Sequence, residues 1–307
     1  MVIPTRDRPA LLDVTLKELM RLVPDETCIW VVDQSTGPAT RELVGHLAEH
    51  DRRVRYRSTT TVGVSAARSL GFQLCGTDIV AYVDDDCIVS EGWLEALVAM
   101  LTSSDVAGVF GRLVPHERGA RTGLEVGRKD TVGRQEFKGH VPPWHMGHGG
   151  NMAFWRRELS EVGGFDPLLG AGGVLHACED GDVAYRLLAR GKRLGYAPAA
   201  VSYHRHWKSW PAQKAMERAY GMGAGAQFAK YVRCGNLSGL RLFVRWTWEL
   251  GVRRVGAGLL KWRSPRVVYL GYCQLVYPTL GVLRSLTEAI DRDKVIYRER
   301  AVIARPN

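Results

Sequence analysis

The chain has 307 residues, 46% apolar and 24% charged, which is enough for one large domain, or a domain with an appendage, around a sizeable core. A formal charge of +10 points to an anionic partner: a nucleotide, a nucleic acid or acidic lipid. The six cysteines show no C-x-x-C and no short metal-type spacing, and several lie in apolar stretches. That pattern points to a reducing, cytoplasm-facing compartment and away from a disulfide framework. No signal peptide is visible, and the first residues begin almost inside a strand, so the natural start is expected a few residues upstream.

In chain order, the first 110 residues alternate strand and helix signals, which predicts a parallel α/β sheet. Val2-Ile3 opens a strand that Pro4 is expected to stop. Leu11, Leu12, Leu16, Leu19, Met20 and Leu22 recur at helical spacing. Residues 28–33 read as a buried strand ending in Asp33, ahead of the breakers Gly37 and Pro38. A helix is expected over 41–50, a short edge-like strand over 54–58 and a helix over 62–74. The strand from Ile79 then runs into Asp84, with a helix over 91–101 and a strand over 106–114 beyond it. Residues 115–143 lose periodicity and read as a mobile loop or insertion. Order resumes with a strand at 149–154, a helix at 156–162, a helix at 182–190 and a strand at 193–203. Between them, residues 163–173 are rich enough in glycine to act as a hinge or lid. Beyond residue 208 the pattern is helical, over 211–232, 240–262 and 266–286, with Arg and Lys set among Trp, Leu and Val.

Chemistry concentrates at the predicted strand ends. Asp84, Asp85 and Asp86 close an apolar strand, and adjacent like charges repel. A divalent cation among them relieves the repulsion, and hard oxygen ligands suit Mg²⁺ or Mn²⁺. A solvated acidic turn is the plainer alternative. Asp33 ends another strand, where it can accept from a base or ribose or simply serve a turn. Arg68 lies in a small-residue helix start and can meet a diphosphate or form a surface ion pair. Glu179, Asp180 and Asp182 exceed what helix capping needs, and one of them could serve as a general base. His204 and His206 follow a strand and share one face, so either can be a metal ligand or bind phosphate.

Taken together and in order, the motifs resemble the family-2 glycosyltransferases of the GT-A fold. The first half carries Val2-Ile3-Pro4-Thr5-Arg6-Asp7-Arg8-Pro9, Val31-Val32-Asp33-Gln34-Ser35, Val62 through Gly71, and Tyr82-Val83-Asp84-Asp85-Asp86. The second carries Gly149-Gly150-Asn151-Met152-Ala153-Phe154, Val162 through Asp166, Glu179 through Leu187, Gly195 through Pro198, and His204-Arg205-His206. Each motif is weak alone; the ordered set over about residues 1–207 is specific.

The resemblance implies an α/β, Rossmann-like, mostly parallel sheet with a C-terminal helical appendage. It implies a catalytic domain over 1–207, made of a nucleotide-binding half (1–114), an insertion (115–148) and an acceptor half (149–207), followed by a helical region over 208–307. It further implies inverting transfer of a sugar from a UDP-, dTDP- or GDP-sugar to a hydroxyl, with Mg²⁺ or Mn²⁺. In residues, Asp180 would be the base, while Pro4, Thr5, Arg8, Asp33, Arg68, Asp84 and Asp85 would meet the donor. Asp86 and His204 would hold the metal, with His206 as the substitute. Asn151 and Glu179 would belong to the acceptor side; Trp144, just before the Gly149–Phe154 segment, can stack on an acceptor sugar or simply pack in the core or a loop. Gln34 stands where a second Asp is common, and Ser69 where Asn is usual, which loosens the expectation about the base.

The basic tail resembles an interfacial amphipathic helix attracted to anionic lipid, with a packed helical subdomain as the alternative. Peripheral attachment at the inner face of a membrane is favoured over insertion. No nucleic-acid motif accompanies the charge. A nucleotidyltransferase is the competing enzyme, but the segment from Pro4 to Arg8 is a poor phosphate cradle. A non-catalytic nucleotide-sugar binder is the non-enzyme reading.

Overall fold

A computed structural model describes residues 1–116, 128–205 and 209–299. His206 lies outside them. The chain divides into two compact units, residues 1–165 with 179–216, and residues 166–178 with 217 onward.

The first unit is built on one sheet. Its strands are β1 (Val2–Thr5), β2 (Ile29–Asp33), β3 (Val54–Ser58), β4 (Ile79–Val83), β5 (Cys87–Val89), β6 (Gly108–Pro115), β7 (Gln135–Phe137), β8 (Asn151–Trp155) and β9 (Leu194–His204). They lie in the order β3-β2-β1-β4-β8-β6-β9-β5, with β7 also pairing β9. The half from β3 to β4 is parallel, β8 runs antiparallel to both its neighbours, and β6 and β9 are parallel. β3 is an edge, as its polar pattern implies.

Two apolar layers cover the sheet because successive strand residues face opposite sides. Ile3, Val31, Ala81 and Val83 pack with α1 (Pro9–Leu22), α2 (Ala39–His50) and α4 (Trp93–Ser103), whose Leu16, Val44 and Leu97 are fully buried. Val2, Val32, Val80 and Tyr82 pack on the other side with α3 (Val64–Leu74), α5 (Arg156–Glu161) and α6 (Glu179–Ala189). Parallel strands therefore end together at one edge, where loops can converge.

Four local expectations need correcting. Pro4 does not stop β1; it pairs with Val32 inside the strand. β1 meets β4 only at Val2–Tyr82, so the missing Pro4 N–H interrupts no ladder on that side. The segment 115–143 is not structureless throughout, since it contains β7. β5 is not among the expected strands, because three residues directly after three carboxylates show no strand period. Glu179 begins its helix rather than preceding it, so all three carboxylates occupy the first turn.

The second unit holds α7 (Trp210–Arg233) from Glu217 on, then α8 (Ser238–Trp246), a π-helical turn (Thr247–Val252), α9 (Arg253–Leu260), α10 (Pro265–Ser285), and a hairpin of β10 (Ile290–Asp291) and β11 (Ile296–Tyr297). The helix expected over 240–262 is thus one run with a π-type middle. Glycines let it lie against α10: a Cβ at Gly251 would meet Leu275 at 2.5 Å, and one at Gly271 would meet Val255 at 2.8 Å. Buried Lys230 pairs with buried Asp166 at 2.5 Å, and Tyr297 N–H donates to the same carboxylate at 2.8 Å. The glycine-rich segment is thereby tied to α7 and the hairpin. No helix among the described residues is long and apolar enough to cross a membrane.

Candidate active site

The candidate acidic residues Asp33, Asp84, Asp85, Asp86, Glu179 and Asp180 lie in the first unit, after or at the ends of β2 and β4 and at the start of α6. Antiparallel pairing of β5 with β9 sets Cys87 opposite His204. In consequence Asp86 Oδ1 lies 3.4 Å from His204 Nε2. Ligand atoms of Asp86, Cys87 and His204 all fall within 4.8 Å of one another. The Cys87 thiol is fully buried, and desolvation, with Asp86 and Asp84 adding to it, pushes its pKa well up. Hard divalent cations favour oxygen and imidazole nitrogen over sulfur, which makes the carboxylate and the imidazole the stronger donors here. That pair suits a divalent cation of the Mg²⁺ or Mn²⁺ type.

Arg8 reaches in from the loop after β1, with Nη1 2.9 Å from Asp86 and Nη2 2.6 Å from Asp85 Oδ1. The second approach lies outside hydrogen-bonding angles, so it counts as a charge contact. Desolvation opposes the charge on Arg8, but Asp85, Asp86 and Asp84 outweigh it and raise its pKa. Its side chain is 40% exposed, so Arg8 is a cation that a ligand can reach.

Arg68 is different. Its side chain is 3% exposed, and it bridges Asp84 (Nη2 to Oδ1, 2.9 Å) and Glu179 (Nη1 to Oε1, 2.5 Å) above the Phe165 ring. Desolvation works against its charge, yet Asp84, Glu179 and Asp180 hold it protonated. Arg68 is therefore a buried clamp within this cluster. Glu179 is buried beside it. Desolvation, and then the Asp180 charge, push its carboxyl up to about 7 against the pull of Arg68. It is the partner of Arg68. Asp182, fully buried, pairs with Arg186 at 2.8 Å, and Arg186 in turn donates to the Gly164 carbonyl at 2.7 Å, tying α6 to the loop after α5.

Asp180 is partly exposed. Its Oδ2 accepts from Gly149 N–H at 2.6 Å and its Oδ1 from Gly181 N–H at 2.7 Å. The Gly149-Gly150 pair allows a close approach. A Cβ at 149 would sit 2.6 Å from Arg68 Nη2, and one at 150 would sit 2.8 Å from Asp84 Oδ2. Asp86–His204 and Asp84–Arg68–Glu179 thus flank one run of adjacent residues, and Gly149 ties Asp180 to it. Trp144 lies in a 3₁₀ turn, Pro143–His145, against the first turn of α6, where a Cβ at Gly181 would meet Pro143 Cβ at 2.9 Å.

Several other expected donor or acceptor contacts turn inward. Asp85 is wholly buried; Thr5 Oγ1 donates to its Oδ2 at 2.7 Å and Thr15 Oγ1 to its backbone carbonyl at 2.8 Å. Desolvation lifts its carboxyl up to about 7, with Arg8 opposing and Asp86 assisting. Asp85 and Thr5 therefore anchor Arg8 and β1, and Pro4 is buried in the strand. Asp33 is 3% exposed; Ser35 N–H and Tyr56 Oη each donate to it at 2.8 Å, the pattern of the turn reading. Asn151 is fully buried. It accepts from Trp93 Nε1 at 2.8 Å and donates to the Arg112 and Ala200 carbonyls at 2.9 and 2.8 Å. It cross-links β8, β6, β9 and α4.

Gln34 explains its own departure from the family pattern. Its Nε2 donates to the Thr61 and Gly63 carbonyls at 2.5 and 2.9 Å, which a carboxylate cannot do. Cys87 beside the Asp86–His204 pair was not legible beforehand, because only the strand register reveals it.

A three-layer α/β unit with this topology and acidic strand ends is of the GT-A nucleotide-sugar transferase class. Residues 1–163 match the profile of glycosyl transferase family 2, and the chain belongs to that family. It is similar to a pre-mycofactocin glycosyltransferase of Mycobacterium tuberculosis, 31% identical over 166 residues that cover 50% of this chain and 33% of that protein. It is also similar to a glucosyl-dolichyl phosphate glucuronosyltransferase of Haloferax volcanii, 29% identical over 157 residues covering 47% and 48%. The chain thus spans between a third and a half of the length of these relatives. Among solved structures, a mannosyltransferase from Pyrobaculum calidifontis in complex with GDP-Man and Mn²⁺ superposes with a TM-score of 0.61 at 16% identity, covering 93% of this chain and 86% of that one. GalNAc-T7 with UDP, GalNAc and Mn²⁺ gives 0.53 at 18% identity, covering 71% and 46%. These two likenesses concern the fold.

Proposed function

We propose that the protein moves a glycosyl group from a nucleoside-diphosphate sugar to an acceptor hydroxyl, using Mg²⁺ or Mn²⁺ and inverting the anomeric centre. One observation carries this reading: the Asp86–His204 pair and the oriented carboxylate of Asp180 belong to one connected cluster of strand-end groups. Family membership and the Mn²⁺ and nucleotide named with the two solved structures support it.

Asp86 and His204 would hold the cation, which when bound supplies positive charge to the diphosphate leaving group. Arg8 would add a charge-assisted contact to the same phosphates. Arg68 keeps Asp84 and Glu179 in place so that the donor meets an ordered wall. Asp180, aimed by two backbone N–H groups, would take the proton of the acceptor hydroxyl as its oxygen attacks from the face opposite the diphosphate. A single displacement needs one base and no enzyme nucleophile. Trp144, beside the turn that carries Asp180, offers a ring on which a sugar acceptor can stack. The acceptor class is a saccharide, a lipid-linked saccharide, a peptide or another small molecule, as in cell-envelope or polysaccharide biosynthesis, used at the inner face of a membrane.

The test is a thermal-shift panel of UDP-, GDP- and dTDP-sugars with each metal, followed by analysis of released product. One nucleotide sugar is expected to stabilise the protein in a metal-dependent way, and Asp86→Ala to abolish that shift. Asp180→Asn should keep the shift and lose transfer by about 10²–10⁴-fold. Pyrophosphate release, or full turnover by Asp180→Asn, would overturn the reading.

A further inference from the structure

The run from Leu237 to Arg263 in the second unit carries its apolar residues on the wrong side for a packed helix. One pole is conventional: Gly239, Leu242 and Trp246 are buried, Trp246 Nε1 donates to Gln274 Oε1 at 3.0 Å, and the Trp246 ring meets Phe228 edge to face. The opposite pole should be polar. Instead Leu237, Leu240, Val244 and Trp248 follow one another at spacings of three and four and are 71%, 60%, 60% and 57% exposed. Past the π-helical turn the strip continues through Val252 and Leu259 to Leu260 and Trp262, which are 85% and 55% exposed. An apolar strip this long on the solvent pole of a helix marks an interaction surface.

Charge identifies the occupant. Arg241, Arg245, Arg253, Lys261 and Arg263 lie in the same run, against the single carboxylate Glu249, while Arg254 turns inward to the buried Glu217 at 3.2 Å. Glu249 is already paired with Arg245 at 2.6 Å. A protein partner would fit the apolar strip, but only an extended anionic surface meets a strip bordered by cations along its length. Two tryptophans among the exposed residues suit the boundary between headgroups and acyl chains. We infer that the run formed by α8, the π-helical turn and α9 docks on an anionic lipid bilayer, lying in its surface with the Leu240–Trp248 pole inserted and the arginines at the phosphates. This inference does not depend on the glycosyl-transfer reading.

The test uses the full chain and sedimentation with vesicles of phosphatidylcholine alone or with about 30% phosphatidylglycerol, at low and high salt, with tryptophan emission as a second readout. Partition onto the anionic vesicles should exceed that onto neutral ones by about tenfold at low salt and fall as salt rises. Emission should shift to the blue on binding. The Leu240→Asp/Trp248→Asp double variant, altered only at exposed positions, should lose vesicle binding while keeping its melting temperature and its nucleotide-sugar response. Equal partition onto both vesicle types overturns the inference, as does unchanged binding by the double variant. A dimer in light scattering that the double variant dissolves, without vesicle binding by the wild type, assigns the face to a second copy and also overturns it. If the double variant fails to fold, the lipid and salt dependence of the wild type decides the matter.

Discussion

Replacing Gly149 by alanine tests the central architectural claim, that Arg68 is a buried clamp which the glycine pair allows close. The added methyl would lie 2.6, 2.7 and 2.9 Å from Arg68 Nη2, Nη1 and Cζ. Arg68 cannot yield cheaply, because it is 3% exposed and held at both ends by Asp84 and Glu179. Overpacking a core costs about 1–3 kcal/mol. Expelling the guanidinium instead breaks buried ion pairs, at about 3–5 kcal/mol. The variant should take the cheaper course and lose roughly 2–3 kcal/mol, which lowers the melting temperature by about 5–10 °C in a unit of this size. Two controls calibrate the result. Gly150→Ala meets Asp84 Oδ2 at 2.8 Å, but the Asp84 side chain is 31% exposed and can swing, so its loss should be smaller. Gly37→Ala meets nothing within 4 Å and should change stability by less than about 0.5 kcal/mol. Differential scanning calorimetry reads all three. A Gly149→Ala melting temperature equal to that of Gly37→Ala would refute the reasoning.

Two further outcomes follow from buried charges. The Asp85 carboxyl is raised from 3.8 to about 7, so the folded state keeps a proton that the unfolded chain loses earlier. The associated stability is complete below pH 3.8 and disappears as the pH climbs through 7, a difference of ~4 kcal/mol. Asp85→Asn, which can still accept from Thr5, should therefore gain on the wild type by on the order of 10 °C between pH 4 and 8 in thermal melts; parallel pH profiles would contradict this. In the second unit, Lys230→Met leaves Asp166 buried without its cation and should cost about 3–5 kcal/mol. Adding Asp166→Asn should recover part of that loss, and a single-variant cost under about 1 kcal/mol in urea titrations would count against the pair as a structural tie.

Much of this molecule was legible in its residues. Alternating apolar runs of strand and helix length announced the α/β sheet, because periodicity is a local property that reports which faces must be buried. The strand from Ile79 into three carboxylates, and the basic aromatic tail, were equally plain. Side-chain direction was not. Asp84, Asp85 and Asp86 look alike in sequence, yet one pairs with Arg68, one is sealed under Arg8 and Thr5, and one faces His204. Adjacent residues at a strand end point different ways, and the segments they meet come from the far side of the chain.

The residues alone determined the longer helices and strands and where the acidic and basic groups concentrate, since propensity and amphipathic pattern act over neighbouring positions; the short β5 and β7 and the β10–β11 hairpin carry too few residues to show a period. Only the tertiary structure decided which of those groups stay open to a ligand. Arg68 meets Glu179 across 111 positions, and Asn151 meets Ala200 across 49. The β5–β9 register alone brings Cys87 opposite His204. Burial and ion pairing depend on partners that chain topology delivers, and no local pattern encodes them.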